Sequence, residues 1–116
     1  MEYQVYSKNV FVTDSLSEYL RMKMAHIDKL SVNPIACRVD VSRDAHHRKG
    51  EVFRIEINMT VPNRLLRIVE VQSDMRAAID IATDKLLEQL KKYKSKAIDL
   101  RRGFSRLFKR QRRNSR

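Results

Sequence analysis

Two stretches of strict alternation constrain the fold of this chain more than any other feature. In IACRVDVSR, Ile35, Cys37, Val39 and Val41 take one side and Ala36, Arg38, Asp40 and Ser42 the other. In VFRIEINMTV, Phe53, Ile55, Ile57, Met59 and Val61 alternate with Arg54, Glu56, Asn58 and Thr60. A period of two is the signature of a strand with one buried face. The polar run DAHHRKG between them reads as a turn, so the pair predicts an antiparallel hairpin. One face of that hairpin must be covered, and the other must stay polar.

The flanking segments supply the cover. Tyr3 and Val5 begin a short strand running towards residue 8. The stretch VTDSLSEYLRMKMAHIDKL then turns helical, with Leu16, Leu20, Met24 and Ile27 as its apolar stripe. Thr13 or Ser15 caps its first turn, and Ser15 with Glu18 has capping-box spacing. Asn33-Pro34 ends that unit, because the residue before a proline is pushed out of the helical region. Beyond the hairpin, Pro62-Asn63 turns the chain into LLRIVEVQ, a third strand whose pattern does not set its facing. Ser73 or Asp74 caps a last helix that buries Met75, Ala78, Ile79, Ala82, Leu86, Leu90 and Tyr93. The order β-α-β-β-β-α, with a right-handed crossover at its start, predicts an α+β fold. Two helices pack on one face of a four-stranded sheet.

Composition bounds what such a domain does. A length of 116 residues makes one domain, and two Gly and two Pro leave little for long loops. A net charge of +11 favours polyanions, either nucleic acid or an anionic membrane surface. The lone Cys37 excludes an internal disulfide framework and fits a reducing compartment. The start MEYQVYSKN lacks the pattern of a signal peptide, and no apolar run is long enough for a bilayer. The expectation is a soluble, cytoplasmic protein. Its charge is uneven: residues 1–96 carry +4 and residues 97–116 carry +7. The chain therefore divides into an α+β domain over 1–96 and a basic helix extension with a disordered tail over 97–116.

The last helix segregates its own charge. At 100° per residue, Lys85, Gln89, Lys92 and Lys96 fall along one edge of the apolar stripe, and Asp80, Asp84 and Glu88 lie mainly elsewhere. Lys23 flanks the stripe of the first helix, with His26 and Lys29 further round. Helices packed side by side would let these rows meet in one basic surface. Any single lysine near a helix C-terminus is explained by the macrodipole and by solubility. Three on one row, beside eight further cations, point to polyanion binding.

SDMRAAIDIATDKLLEQLKKYKSK resembles the last-helix signature of the ribosome hibernation-promoting factor and ribosome-associated translation inhibitor family, whose relatives are also described as sigma-54 modulation proteins. SKNVFVTDSLSEYLRMKMAHIDKL is similar to the first strand and helix of that family, and the likeness extends from residue 1 to about 96. It implies a shape like a double-stranded RNA-binding domain, which reads phosphates and 2′-hydroxyls more than sequence. It also implies binding to the small ribosomal subunit and its rRNA between head and body, competing with mRNA and tRNA and silencing idle ribosomes in stress. The implied rRNA contacts are Lys23, His26 and Lys29 on the first helix, with Lys85 and Lys92 on the last. Gln89, Lys96, Arg101 and Arg102 extend that set along the last helix.

Three departures stand out. Glu88 stands where a basic residue is usual, and it can pair with Lys85 or Lys92. Arg76 replaces a typical Tyr, and Val69 and Val71 stand where acids are common. Those valines make either a small apolar patch on the open sheet face or a better-packed strand. The basic tail is the third departure. Long members continue to a second, dimerising domain, for which this length leaves no room, so the resemblance implies a short form. Gly103 is a good place for the helix to end. Phe104, Leu107 and Phe108 then sit among arginines, in a segment that either folds onto RNA or stays a disordered basic extension.

His46 and His47 are adjacent on the predicted turn but lack further metal ligands. No Gly-rich phosphate loop, nucleophile–base pair or isolated acid pair supports catalysis. The chain is expected to be no enzyme and to need no cofactor, no small-molecule substrate and no membrane, and to be a monomer when free. Beside the ribosomal reading stand a general double-stranded RNA binder and a membrane-surface or protein-interaction module acting through the tail.

Overall fold

A computed structural model describes the backbone of residues 1–44 and 50–114 and the side chains of residues 1–44, 50–98, 100, 102 and 103. The elements are β1 (Gln4–Lys8), α1 (Asp14–Asp28), β2 (Ala36–Asp44), β3 (Val52–Val61), β4 (Arg64–Gln72) and α2 (Met75–Asn114). Their order in the sheet is β1-β2-β3-β4. β1 runs parallel to β2 and the other pairs are antiparallel. This is the expected β-α-β-β-β-α sandwich. His46 and His47 lie outside the described residues.

Alternation places the core where the sequence puts it. Cys37, Val39 and Val41 of β2, Ile55, Ile57, Met59 and Val61 of β3, and Leu66 and Ile68 of β4 all face the helices and are buried. Leu20, Met24 and Ile27 of α1 and six residues of α2 (Met75, Ala78, Ile79, Ala82, Leu86 and Leu90) close over them. Leu16, Phe53 and Tyr93 are partly buried at the edges of this cluster. Ile35 departs from the expectation and is 69% exposed. Ladder pairing starts at Ala36, so Ile35 lies just outside the strand and is not held to its alternation.

Local signals set the ends of the elements. Thr13, not Ser15, caps α1 by accepting from the Leu16 amide at 3.1 Å. Asp74 caps α2, its Oδ2 accepting from the Ala77 amide at 3.1 Å. Pro62 and Asn63 join β3 to β4, with Asn63 at φ 66°, as the third residue of a type II turn requires.

Two differences from expectation matter for function. First, β4 turns Leu66, Ile68 and Glu70 towards the helices and leaves Leu65, Val69 and Val71 on the open face. The valines are 39% and 47% exposed, so they form a surface patch rather than a better-packed strand. Second, α2 runs without a break across residues 96–97 and through Gly103 to Asn114. A mid-helix glycine costs about 1 kcal/mol relative to alanine, which neighbouring helix formers absorb. Gly103 has no positive φ and nothing within 4 Å of where a Cβ would stand.

Beside that patch, the polar side chains of the open face pair with one another. Arg38 stacks on the Tyr6 ring at 4.0 Å and pairs with Asp40 at 3.0 Å. Glu56 accepts from Asn58 at 2.8 Å, from Arg67 at 2.9 Å and from Arg54 at 2.8 Å. These three donors, Asn58 foremost, pull its carboxyl down to about 2. A carboxyl that titrates lower in the folded state stabilises the fold above its unfolded value of 4.5, and that contribution is lost as the pH falls from there towards 2. Glu56→Gln is expected to flatten the acid limb of unfolding over that window. Solvent screens the two arginines, so the loss at neutral pH is about 1 kcal/mol, read from urea melts at several pH values. An acid limb identical to that of the parent protein would remove Glu56 from this role.

Candidate nucleic-acid interface

α1 and α2 lie side by side and run parallel. Arg76 meets Ser15 near their starts (3.4 Å), and Lys94 donates to the Leu30 carbonyl just beyond the end of α1 (2.7 Å). Between these ties, Asp80 accepts a hydrogen bond from the Tyr19 hydroxyl and pairs with Lys23 at 3.0 Å. Arg76 lies over the Tyr19 ring at 4.5 Å and Lys23 at 5.6 Å. The Tyr19 hydroxyl, followed by Lys23, holds the Asp80 carboxyl below the usual range, and Asp80 in turn raises Lys23. Lys23 is thus a half-buried, pre-oriented cation, whereas His26 and Lys29 beside it are exposed.

The other row lies elsewhere. Lys85 donates to Glu70 Oε2 of β4 at 2.7 Å, and Gln72 holds the second oxygen of that carboxylate at 3.0 Å. Lys85, ahead of Gln72, lowers the Glu70 carboxyl. The Glu70 side chain is only 13% exposed and the Lys85 side chain 54%, so the carboxylate anchors the lysine stem at the sheet edge. Gln89, Lys92 and Lys96 continue this flank, and all are exposed. Glu88 pairs with Lys92 at 3.7 Å and not with Lys85; both partners are about 70% exposed, a geometry that contributes little. Arg102 is exposed, and the Arg101 side chain lies outside the described residues.

The two basic rows therefore do not meet. Lys23 reaches Asp80 on one flank of α2 and Lys85 reaches Glu70 on the other, positions about 140° apart around the helix. The exposed acids Asp84 and Glu88 stand on the ridge between them. The layer presents two cationic edges, not one continuous groove. Arg76 and Lys94 add to the α1 edge and were absent from the sequence-derived set. Their roles depend on the register between the helices, which periodicity within either helix does not contain.

Among the described residues, no group of three or more His, Cys, Asp or Glu side chains is placed to hold a metal ion. Burial pushes the Cys37 thiol up to about 11, far from a reactive thiolate. Among them too, no helix is long and apolar enough to cross a membrane.

Comparison with known proteins bears on the same region. The family model described as Sigma 54 modulation protein / S30EA ribosomal protein matches residues 3–98. The ribosome hibernation promotion factor of Deinococcus radiodurans is 35% identical over 95 residues, covering 81% of this chain and 49% of that protein. The Bacillus subtilis protein of the same name is 27% identical over 96 residues, with 83% and 50% covered. The chain spans about half the length of these curated relatives. The crystal structure of the N-terminal domain of Thermus thermophilus Protein Y superposes with a TM-score of 0.65 at 29% identity, covering 78% of this chain and 96% of that one. A ribosomal subunit interface protein from Coxiella burnetii shares the fold, with a TM-score of 0.71 at 20% identity and coverage of 82% and 99%.

Proposed function

The chain belongs to the Sigma 54 modulation protein / S30EA ribosomal protein family, and from that premise we propose that it binds the small ribosomal subunit and silences idle ribosomes. In this reading it is a cytoplasmic, non-catalytic factor whose ligand is ribosomal RNA in the channel used by mRNA and tRNA. Residues 1–96 form the ribosome-binding domain, whose contacts are Lys23, His26, Lys29, Lys85, Gln89, Lys92 and Lys96, and Arg101 and Arg102 continue them into the extension. The observation that carries the proposal is the exposed Lys85–Lys92–Lys96 flank, whose first member is held in place by Glu70. A pre-positioned cation loses little side-chain freedom when it meets a phosphate. Two separated cationic edges also suit a crevice with RNA on both sides better than a single duplex.

The experiment is competition on purified small subunits at near-physiological salt. Saturating tRNA is expected to displace the protein, whereas an equal charge concentration of unrelated duplex RNA displaces it poorly. Simultaneous binding with tRNA would place the protein outside the decoding channel. Equal displacement by any duplex would favour a general double-stranded RNA binder.

A further inference from the structure

We propose that residues 95–114 of α2 form a second RNA contact: a helical arm that lays a row of cations along the phosphate backbone of an RNA duplex outside the surface bound by the domain. The identity of the polyanion as RNA rests on the ribosomal reading above; the arm itself does not. Tyr93 donates to the Pro62 carbonyl at 2.9 Å and Lys94 to the Leu30 carbonyl at 2.7 Å. Among the described residues these are the last hydrogen bonds from α2 to the rest of the domain, one to the β3–β4 turn and one to the segment just after α1. The helix then continues to Asn114, about 30 Å further. The described backbone measures 71 Å in its longest dimension against 28 and 17 Å in the others. Most of the arm lies past residue 98, where the match to the family ends.

Charge selects the partner. The arm holds eight cations against the single acid Asp99, and six of the eight are arginines. Arginine presents a planar fork of donors matched to phosphate oxygens, which lysine lacks. Arg102, Arg106, Lys109 and Arg113 recur at steps of four, three and four, which puts these positions on one side of the helical backbone over about 16 Å. A surface helix for a lipid bilayer needs one continuous apolar side. Ile98 stands about 160° from Leu100, but Leu100 shares one side of the helical backbone with positions 97, 104, 107 and 108, so amphipathicity does not choose between RNA and a bilayer, and the arginine content is what favours RNA phosphates. An anionic membrane is nevertheless the rival surface, because positions 104, 107 and 108 are apolar and fall opposite the cation row.

The test uses the full chain and a short A-form RNA duplex, with affinity measured by fluorescence anisotropy across a salt series. Combining Arg102→Gln, Arg106→Gln, Lys109→Gln and Arg113→Gln is expected to reduce the slope of log affinity against log salt by about 3, since each neutralised phosphate contributes 0.7–0.9. Placing lysine at all four positions should restore the slope, which separates charge from any loss of helix. An unchanged slope in the glutamine variant overturns the proposal. So does loss of binding to phosphatidylserine vesicles with an unchanged RNA slope, which would assign the arm to a membrane. If the parent protein fails to bind subunits while the duplex slope drops as expected, the ribosomal reading falls and the arm stands.

Discussion

Lys85→Glu combined with Lys92→Glu is expected to lower affinity for small ribosomal subunits about a hundredfold at near-physiological salt. Each reversal removes a charge-assisted contact and sets a carboxylate against a phosphate, and together these cost about 3 kcal/mol. The fold should survive. The Lys92 partner is the distant, exposed Glu88, and Lys85 itself is about half exposed. The one structural cost is a new carboxylate beside Glu70, which raises that acid and can be measured separately as a stability change. Glu70→Gln supplies the control, since it frees Lys85 without changing its charge. Its binding loss should be several-fold at most and should grow with temperature as the stem loses its anchor. Normal subunit binding by the double reversal, with its fold intact, would mean that the lysine flank is merely solvated and that the RNA contacts lie elsewhere on the chain.

The flank was legible in the sequence because it depends only on the period of one helix. Lys85, Gln89, Lys92 and Lys96 keep their row whatever α2 packs against, and so do the buried Leu86 and Leu90. The two alternating strands were legible for the same reason. β4 was not, because Leu65 and Leu66, then Ile68, Val69 and Val71, offer an apolar residue to either face. What decides its facing is non-local: Glu70 must reach Lys85 on α2, and Ile68 must sit across from Ile57 of β3. The relation between the two basic rows was equally out of reach. Two parallel helices can slide or rotate past one another without altering either stripe, and their register is fixed by contacts between them: Tyr19 and Lys23 with Asp80, Arg76 with Ser15, and Lys94 with Leu30. Gly103 misleads in the opposite sense. A glycine is a common helix terminator but not an obligatory one, and the penalty of about 1 kcal/mol is too small to stop a helix of strong formers.

The apolar stripe of α2 allows a sharp contrast in stability along a single helix. Leu86, Leu90, Tyr93, Ala97 and Leu100 follow one another at steps of four, three, four and three, so they share one side of α2. Leu86 is fully buried against the sheet, while Leu100 on the same stripe is 66% exposed. Leu86→Ala is therefore expected to cost about 3 kcal/mol through lost burial and the cavity left behind. For a domain of this size that lowers the melting temperature by about 10–15 °C. Leu100→Ala removes the same atoms where no body lies beneath them, and should change stability by less than about 0.5 kcal/mol. Thermal melts of the two variants followed by circular dichroism measure both. A fall of only a few degrees for Leu86→Ala would mean that α2 is not seated on the sheet, and the lysine flank would lose its platform. A large fall for Leu100→Ala would mean that the stripe beyond Tyr93 is covered in solution, and residues 95–114 would then be part of a packed interface, with less of their surface open to RNA.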